Sequence, residues 1–429
     1  MSAELSLSHR GGPLTAADID AAAERIAGVV APTPLQISER LSAATGATVY
    51  LKREDLQSVR SYKLRGAYNL LMQLSADEIA AGVVCSSAGN HAQGFAHACR
   101  SMGVHGRVYV PAKTPKQKRD RIRFHGGDFI ELIAVGSTYD LAATAALEDV
   151  ERTGATLVHP FDDLRTIAGQ GTIAAEILEQ LDGEPDLVVV PVGGGGCVAG
   201  ITTYLAERTT TTSVLGVEPA GAAAMIAALA AGEPVTLEHV DQFVDGAAVN
   251  RAGALPYAAL AAADDMVAVT PVDEGAVCTA MLDLYQNEGI IAEPAGALSV
   301  AALMETDQID PDSTVVCLIS GGNNDVSRYG EILERSLVHL GLKHYFLVNF
   351  PQEPGALRRF LDGVLGPNDD ITLFEYVKRN NRETGPALIG IELGSAEDLD
   401  GLLTRMAASD IDVEQLKPDS QAYRYLINP

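Results

Sequence analysis

The chain has 429 residues, of which 47% are hydrophobic and 21% charged, a composition typical of globular proteins and not of disordered ones. This length exceeds that of one ordinary hydrophobic core and predicts two or three domains. The formal net charge of −26 argues against a nucleic-acid-binding protein, because neutralising phosphates requires clustered cations.

The cysteines and the apolar segments predict a cytoplasmic, soluble protein. The five cysteines are an odd number, are scattered and form no CxxC pair, which favours a reducing compartment and neither a disulfide framework nor a zinc site. The start of the chain lacks the apolar segment of a signal peptide. No run of about eighteen apolar residues follows, so we expect no membrane span.

The predicted elements begin with a helix at residues 16–30, which the segment APTPL ends. Runs of β-branched residues then predict strands at 48–54, 82–87, 106–112, 128–134, 187–193, 213–219, 266–270 and 313–320. Stretches with helical spacing of apolar residues, such as 91–102 and 197–207, lie between them. Apolar strands that alternate with helices are typical of an α/β fold with open parallel sheets covered on both faces.

One basic run, at 113–123, contrasts with the acidic chain. It lacks the aromatic residues of a platform for single-stranded nucleic acid. We therefore expect a solvated helix face that contacts acidic surface elsewhere.

The pattern changes near residue 335. Beyond it, strands are predicted at 343–350, 370–379, 386–393 and 410–416, with helices at 355–365 and 396–409. This βαββαβ order predicts a ferredoxin-like unit over residues 339–413. The unit holds few groups suited to catalysis, so we expect it to bind a ligand or to regulate.

Four consecutive glycines, Gly193 to Gly196, join a valine-rich strand to a helix that starts near Cys197. Glycines let the backbone curl tightly and present N–H groups, and the helix adds its positive end. The segment lacks the spacing of a nucleoside-triphosphate loop or a dinucleotide loop. It therefore predicts a phosphate site, with a tight strand-to-helix turn as the alternative.

Two further strands end in small polar residues. One delivers the candidate carboxylate-binding residues Ser86, Ser87, Ala88, Gly89, Asn90 and His91 to the start of a helix. An ordinary capped helix start and a packed histidine are the alternatives there. The other strand ends at Ser320, whose hydroxyl could face a ring nitrogen or belong to an ordinary turn.

These strand ends are expected to meet, because ligands of open α/β sheets collect at the carboxyl ends of the strands. Lys63, in the segment SVRSYKLRGA, is either a solvated cation or an amine reserved for chemistry. An amine, a phosphate cradle, a carboxylate loop and a hydroxyl together specify pyridoxal phosphate and an amino acid.

Five segments carry a resemblance to a known family, in the expected order and over nearly the whole chain. They are RSYKLRGA (60–67), SSAGNHAQG (86–94), GGGG followed by AG (193–200), EPAGA (293–297) and SGGNND (320–325). The chain resembles the pyridoxal-phosphate enzymes of the tryptophan-synthase β fold (fold type II), and within them the biosynthetic threonine dehydratases (threonine ammonia-lyases). The resemblance implies a catalytic domain at 1–335, with a smaller subdomain at about 50–160, and an ACT-like regulatory domain at 339–413.

The resemblance also implies roles for the matched residues. Lys63 forms the Schiff base with the cofactor and then takes the substrate's Cα proton, and Asn90 bonds the ring oxygen. Gly193, Gly194, Gly195, Gly196 and Cys197 hold the phosphate, and Ser320 meets the pyridine nitrogen. Arg60 and Arg65 either keep the lysine amine partly deprotonated or are surface charges.

The implied reaction turns L-threonine, and also L-serine, into a 2-oxo acid and ammonia, and for threonine this is the first step of isoleucine biosynthesis. Isoleucine would inhibit and valine would oppose it, through loops at 350–357 and 378–385 of the C-terminal domain. A homo-oligomer, a tetramer or a dimer, is also implied.

The alternatives are a serine racemase or serine dehydratase, and a non-catalytic amino-acid sensor. A racemase resembling this chain has a second serine where Ala88 stands, so the dehydratase is favoured. Such a relative also binds a divalent cation. Glu218 matches one ligand, but Ala224 replaces an expected carboxylate, so no metal of that type is predicted. The intact cofactor residues argue against a sensor.

Overall fold

A computed structural model describes residues 12–263, 265–306, 308–376, 383–417, 420 and 423. The chain divides into two units, Met1–Asn324 and Asp325–Pro429. The first unit holds one mainly parallel and one parallel sheet, and the second holds one antiparallel sheet.

The elements of the first unit alternate between helices and strands. They begin with α1 (Ala16–Ile26), β1 (Leu35–Ile37), α2 (Glu39–Thr45), β2 (Thr48–Arg53), α3 (Lys63–Leu71), α4 (Ala76–Ala81), β3 (Val83–Ser86), α5 (Asn90–Met102) and β4 (Gly106–Val110). They continue with α6 (Lys116–Gly126), β5 (Ile130–Ala134), α7 (Tyr139–Thr153), β6 (Thr156–Leu157), α8 (Leu164–Leu181), β7 (Leu187–Pro191), α9 (Gly196–Arg208) and β8 (Ser213–Pro219). The last are α10 (Ala224–Ala231), α11 (Ala254–Ala262), β9 (Val267–Val272), α12 (Glu274–Glu288), α13 (Pro294–Met304) and β10 (Thr314–Ile319).

The larger sheet has the strand order β1-β2-β10-β7-β8-β9, and only β1 runs antiparallel to its neighbour. The smaller sheet has the order β5-β4-β3-β6 and is parallel throughout. Because β2, β10 and β7 are parallel neighbours, their carboxyl ends lie at one edge of the larger sheet. The segments that contain Lys63, the four glycines and Ser320 begin at that edge, whereas the segment 86–91 begins at the end of β3 of the smaller sheet.

The strands are apolar because helices cover both faces of the larger sheet. Val188, Val189 and Val190 of β7 are fully buried, and so are Val316 and Leu318 of β10. Such strands read as continuous hydrophobic runs, without the alternation of a half-exposed strand. This explains why the sequence predicted them, and the α/β fold class is confirmed.

Three helices of the first unit meet backbone to backbone at glycines. A side chain at Gly169 of α8 would lie 2.6 Å from the Cα atom of Gly66 in α3. Two residues further along α8, a side chain at Gly171 would lie 2.9 Å from the carbonyl oxygen of Gly200 in α9. Only glycine allows approaches this close, so α8 is in direct contact with both α3 and α9.

The second unit has the predicted βαββαβ order. After α14 (Tyr329–His339) come β11 (Lys343–Pro351), α15 (Ala356–Val364), β12 (Asp370–Tyr376), β13 (Thr384–Glu392), α16 (Leu399–Ala408) and β14 (Asp412–Leu416). The strand order is β12-β13-β11-β14, and each neighbouring pair is antiparallel. Phe346, Phe360, Ile389 and Leu402 form the centre of its hydrophobic core.

Some boundaries differ from the predicted ones. The first helix ends at Ile26, not at residue 30, because Ala27 is extended and Gly28 takes a left-handed φ of 85°. The smaller sheet runs from Val83 to Leu157, whereas β2, at the start of the predicted smaller subdomain, pairs in the larger sheet. The second unit starts ten residues before the predicted end of the catalytic domain at 335, and Glu334 in α14 bonds Lys343 and Tyr345 of that unit.

Two other predictions concern surface segments. The basic run forms α6, whose Lys118 Nζ pairs with the carboxylate of Asp245 at 2.5 Å, as expected for a helix face that contacts acidic surface. Within the part of the chain that the structure describes, no helix has the length and apolar character to cross a membrane.

Candidate active site

Lys63 is the first residue of α3 and follows the loop after β2. Its side chain is half-buried, and Nζ donates a hydrogen bond to the carbonyl oxygen of Pro160 at 3.1 Å. Burial lowers the pKa of Lys63 to about 8, although Cys197 and Glu293 pull it upward. An amine with this pKa is partly neutral near neutral pH, which a nucleophile or base requires.

Arg65 does not act on Lys63 in either of the predicted ways. It is fully buried, so it is not a surface charge, and its guanidinium bonds both Glu54 and Glu176 at 2.6–2.9 Å. The low pKa of Lys63 has burial as its cause, with no contribution from either arginine. Arg65 instead anchors α3 to α8 through Glu176 and Thr172.

The loop before Lys63 is joined to the loop after β10. Arg60 has a left-handed φ of 58°, which is unusual for a residue with a side chain. Its carbonyl oxygen accepts a hydrogen bond from Gly322 N–H at 2.9 Å, and Tyr62 N–H donates to the carbonyl of Ser320 at 3.2 Å. The Ser320 hydroxyl is buried and donates to the carbonyl of Ala295 at 3.2 Å. These bonds place Ser320 beside the lysine loop.

The tetraglycine segment connects β7 to α9 and leaves backbone donors unused. The first intrahelical bond runs from Ala199 N–H to the carbonyl of Gly195 at 2.9 Å, so the N–H groups of the first helical residues, starting at Gly196, have no intrahelical partner. No hydrogen bond among the described residues occupies them. Free donors at the positive end of a helix suit a phosphate.

The same glycines are also required by packing. A side chain at Gly194 would overlap the ring of Phe161, and one at Gly196 would lie 2.9 Å from the Cα atom of that residue. Gly195 has a φ of 92°, and its missing side chain leaves room for Pro256 at 2.8 Å. The predicted alternative, a tight turn, is therefore present together with the free backbone donors at the start of α9.

The segment from Ser86 to His91 joins β3 to α5, with Gly89 at the N-cap. Ser86 is buried, and its hydroxyl has no partner among the residues that the structure describes. The Ser87 hydroxyl accepts from Gly89 N–H at 3.2 Å. An unpaired buried hydroxyl beside helix N–H groups can receive a carboxylate.

His91 is packed, as the alternative predicted. Its Nε2 lies 2.7 Å from the carbonyl oxygen of Val158, and 3% of the residue is exposed. Burial, and then the charge of Lys63, lower the pKa of His91 to about 3. The imidazole is therefore neutral at ordinary pH and is not a proton donor of the usual kind.

Asn90 is held from two sides. Its Nδ2 donates to Oε1 of Glu293 at 2.5 Å, and its Oδ1 accepts from Nδ2 of Asn323 at 2.8 Å. Asn323 also donates to the carbonyl of Val59 at 2.8 Å, in the loop before the lysine. The amide of Asn90 thus has a fixed orientation beside the lysine loop.

The predicted segments therefore come together. Lys63 interacts electrostatically with Cys197, Glu293 and His91, which belong to three different predicted segments. The strand ends of β2, β10 and β7 supply three sides, and β3 of the smaller sheet supplies the fourth. Within the described residues, this arrangement combines a partly neutral amine, two helix starts with free N–H groups and an oriented amide.

Three contributors were not predicted as site residues. Glu293 and Asn323 orient Asn90, although both belong to segments that the resemblance used. The third is the segment from Val158 to Phe161, which follows the unpredicted strand β6 and touches His91, Lys63 and Gly194. The available signal was the short run TLV, which has two β-branched residues, followed by HPF.

Glu218, the match to a metal ligand, is bound by backbone groups. It is fully buried, and its carboxylate accepts from Met225 N–H at 2.7 Å and from Ile226 N–H at 2.9 Å. Burial raises the pKa of Glu218 to about 7, although these bonds oppose the shift. Ala224, where a carboxylate was expected, begins α10.

Two family models match the chain. Residues 26–321 match the model described as "Pyridoxal-phosphate dependent enzyme". Residues 334–426 match the model described as "C-terminal regulatory domain of Threonine dehydratase". Together they cover both units.

Several characterised relatives carry one name, "L-threonine dehydratase biosynthetic IlvA". The protein of Mycobacterium tuberculosis H37Rv is 84% identical over 430 residues, which covers 100% of both chains. The protein of Corynebacterium glutamicum is 61% identical over 416 residues, covering 96% of this chain and 95% of the relative.

Two solved structures superpose on about three quarters of the chain. The processed form of threonine deaminase isoform 2 from Solanum lycopersicum superposes with a TM-score of 0.69 at 36% identity, covering 78% of this chain and 98% of that one. Maize serine racemase has a TM-score of 0.69 at 30% identity, covering 76% of this chain and 99% of that one. With its site geometry, its two matched domains and its full-length relatives, the chain belongs to the biosynthetic threonine dehydratases, a family of pyridoxal-phosphate-dependent enzymes.

Proposed function

We propose that this chain converts L-threonine into 2-oxobutanoate and ammonia, and that it also accepts L-serine. The main support for the proposal is the half-buried amine of Lys63. Its pKa is about 8, and it interacts with residues of three other site segments. The same amine can hold a cofactor covalently and then act as a base. An amine with an ordinary pKa would be almost entirely protonated at neutral pH and would do both far more slowly.

The residues of the site fit pyridoxal phosphate. The free N–H groups from Gly196 onward, at the start of α9, match a phosphate. Lys63 provides the amine for the aldehyde, the hydroxyl of Ser320 would face the pyridine nitrogen, and the Asn90 amide would bond the ring oxygen. The cofactor, when bound, supplies an electron sink for negative charge at the substrate's Cα atom.

The substrate's carboxylate would bind the segment from Ser86 to His91. The buried hydroxyl of Ser86 lacks a partner within the described part of the chain, and the N–H groups at the start of α5 are free to donate. A carboxylate there gains charge-assisted hydrogen bonds and the favourable end of the helix dipole. The substrate's amino group and Cα atom would then lie toward Lys63.

Lys63 would take the proton from Cα. His91 is unsuited to proton transfer, because burial lowers its pKa to about 3 and its Nε2 is bonded to the carbonyl of Val158. Loss of the Cα proton and of the β-hydroxyl removes one water from threonine. Addition of one water to the resulting enamine, after tautomerisation, releases ammonia, so the net reaction is threonine to 2-oxobutanoate plus ammonia.

Racemisation of serine has less support in this chain. It requires an acid on the face of the substrate opposite to Lys63, and the corresponding position is Ala88, whose methyl group packs against the core of the smaller sheet. The nearby hydroxyl of Ser87 already accepts a bond from Gly89 N–H. An amino-acid sensor without catalysis would have no need for the lowered pKa of Lys63.

The second unit would regulate the enzyme, with isoleucine as inhibitor and valine as its opponent. The predicted loop at 350–357 includes Gly355, which has a φ of 88°, and the exposed Leu357. Most of the other predicted loop, 378–385, lies outside the described residues. The proposal also includes a homo-oligomer, either a tetramer or a dimer. It places the protein in the cytoplasm, and the five buried free cysteines support such a reducing compartment.

The test is to purify the chain and compare L-threonine, L-serine and their D-forms at equal concentration, with 2-oxobutanoate, pyruvate and serine stereochemistry as readouts. We expect an absorption band at about 410 nm that borohydride abolishes, and turnover of the L-forms only. The Lys63→Ala variant should stay folded by circular dichroism and lose turnover. A colourless wild-type chain, or a Lys63→Ala variant with undiminished 2-oxobutanoate production, would refute the proposal.

A further inference from the structure

The amide of Asn90 has chemically distinct partners at its two ends. Its nitrogen donates to Glu293, and its oxygen accepts from the amide nitrogen of Asn323. An ionised carboxylate can only accept, and an amide nitrogen can only donate. The two partners therefore determine which end of the Asn90 amide is nitrogen and which is oxygen, and they oppose a flip.

Glu293 is itself fixed by its surroundings. It is 4% exposed and stands at the N-cap of α13. Its backbone N–H donates to the carbonyl of Gly321 at 3.1 Å, and its carbonyl accepts from Gly296 N–H at 2.8 Å. A side chain at Gly321 would collide with Oε1 of Glu293 and lie 3.0 Å from its Cδ atom. The space beside the carboxylate exists only because residue 321 is glycine.

Asn323 is fixed as well. Its side-chain nitrogen donates both to Asn90 and to the carbonyl of Val59, at 2.8 Å each. The loop after β10 and the loop before Lys63 thus hold one end of the amide, while the start of α13 holds the other. The amide nitrogen of Asn90 has two hydrogens, so a second N–H remains after the bond to Glu293.

We propose that Glu293 and Asn323 are positioning residues that orient the Asn90 amide so that its remaining N–H, and not its oxygen, faces the ring oxygen of pyridoxal phosphate. This inference rests on the proposed function, which assigns Asn90 to that oxygen. Without Glu293 the amide can turn and present its own oxygen, which repels the ring oxygen. The loss would appear first in cofactor retention and in the electronic spectrum of the bound cofactor.

The orientation of the Asn90 amide should depend on pH, because it depends on the charge of Glu293. Burial, and then the charge of Asp245, raise the pKa of Glu293 to about 7, opposed by the bond from Asn90 and by Lys118. The other titratable groups that interact with it are Tyr62 and Lys63. A protonated carboxyl can itself donate to the Asn90 oxygen, so the fixed orientation holds best above pH 7 and weakens below it.

The experiment measures how fast purified holoenzyme releases pyridoxal phosphate and, after the cofactor has been removed, the dissociation constant for its rebinding. The visible spectrum of the holoenzyme is recorded from pH 5.5 to 9. Glu293→Ala and Asn323→Ala should each raise the dissociation constant about tenfold, the worth of one polar contact, and shift the band. Gly321→Ala should do the same, because it displaces the carboxylate without changing its chemistry. Glu293→Gln keeps an acceptor, so it should restore affinity to within about threefold and lose the pH dependence near 7.

Ser299→Ala is the matched control. Ser299 is a buried residue of α13, the helix whose N-cap is Glu293. Its hydroxyl donates a hydrogen bond to the carbonyl of Leu318 at 2.9 Å, and the variant loses this bond without affecting any contact of Asn90. It should leave cofactor affinity and spectrum unchanged. Should Glu293→Ala fail to fold, Gly321→Ala and Glu293→Gln carry the same test.

The possible failures are distinguishable. A wild-type chain without a borohydride-sensitive band would refute the proposed function and this inference together. A wild-type chain with the band, and folded Glu293→Ala, Gly321→Ala and Asn323→Ala variants that keep its affinity, spectrum and pH profile, would refute the inference alone.

Discussion

Arg65 offers the sharpest test of what stabilises the site. It is fully buried together with Glu54, while Glu176 is 17% exposed at its side chain. The guanidinium makes two bonds to each of these carboxylates and one to the hydroxyl of Thr172 at 3.0 Å. Replacing Arg65 with methionine keeps much of the volume and removes all five bonds.

The expected cost follows from the charges that remain. Glu176 would keep its bonds from Lys52 at 2.6 Å and from Thr33 N–H at 3.2 Å. Among the described residues, the Glu54 carboxylate would keep only the bond from the Thr33 hydroxyl at 2.5 Å. Breaking a buried ion pair by removing one partner costs about 3–5 kcal/mol, because the other charge stays buried and uncompensated. We expect Arg65→Met to lose that much free energy of unfolding at pH 7.

The pH dependence of this loss has a definite sign. Burial pushes the pKa of Glu176 upward, but Arg65 and Lys52 more than offset this and hold it below its ordinary value of 4.5. Glu176 therefore contributes stability that is present above pH 4.5 and is lost as the pH falls through its lower folded value. The difference between wild type and Arg65→Met should shrink in acid, where the carboxylates protonate.

The measurement is urea unfolding followed by circular dichroism at pH 7 and at pH 4. Arg123→Met is the matched control, since its side chain is 56% exposed and lies 3.6 Å from Asp120, and it should leave the unfolding curve unchanged. A loss below about 1 kcal/mol for Arg65→Met, the range of a surface pair, would contradict the buried-cluster reasoning. So would a loss that grows in acid.

Three further predictions follow from the same structure. Gly194→Ala forces a side chain into the ring of Phe161 and should destabilise the first unit by about 1–3 kcal/mol. The control Gly363→Ala, with open space around it, should not be destabilising. Equal urea-unfolding curves for the two variants would refute the packing argument. The rate at which the cofactor-free chain captures pyridoxal phosphate should rise with pH and level off above about 8, because the neutral amine of Lys63 reacts. A rate whose midpoint lies near pH 10.5 would show that burial does not lower the pKa of Lys63. Truncation after Asn324, the end of the first unit, should leave a folded enzyme whose threonine turnover ignores isoleucine, and persistent inhibition would place the effector in the catalytic unit.

The strand ends of the site could be predicted because each is a local pattern. The valine run before Gly193 and the small residues after Cys85 show a strand, a turn and a helix within a dozen residues. The βαββαβ order of the second unit is local in the same sense. A general rule of open sheets brings the ends of the parallel neighbours β2, β10 and β7 together. It does not extend to the end of β3, which belongs to the smaller sheet.

Contacts between distant residues could not be predicted. Asn90 and Glu293 are 203 residues apart, and Arg65 is 111 residues from Glu176. A charged residue at a helix start is usually exposed, so nothing in the segment marked Arg65 as buried. The early end of α1 was missed although a signal was available, since Gly28, two residues after Ile26, takes the left-handed φ that glycine often takes just after a helix.

The glycine contacts along α8 have a consequence for the choice of cofactor. The helix that begins with Lys63 touches α8 at Gly66 and Gly169, and the helix that follows the phosphate cradle touches it at Gly171 and Gly200. No long side chains separate these backbones, so no change of rotamer at these contacts can move the backbone of Lys63 away from the start of α9. The distance between the Cα atom of Lys63 and the start of α9 is therefore fixed, and we expect an analogue of pyridoxal phosphate whose phosphate arm is longer by one methylene to bind less tightly because of its length alone.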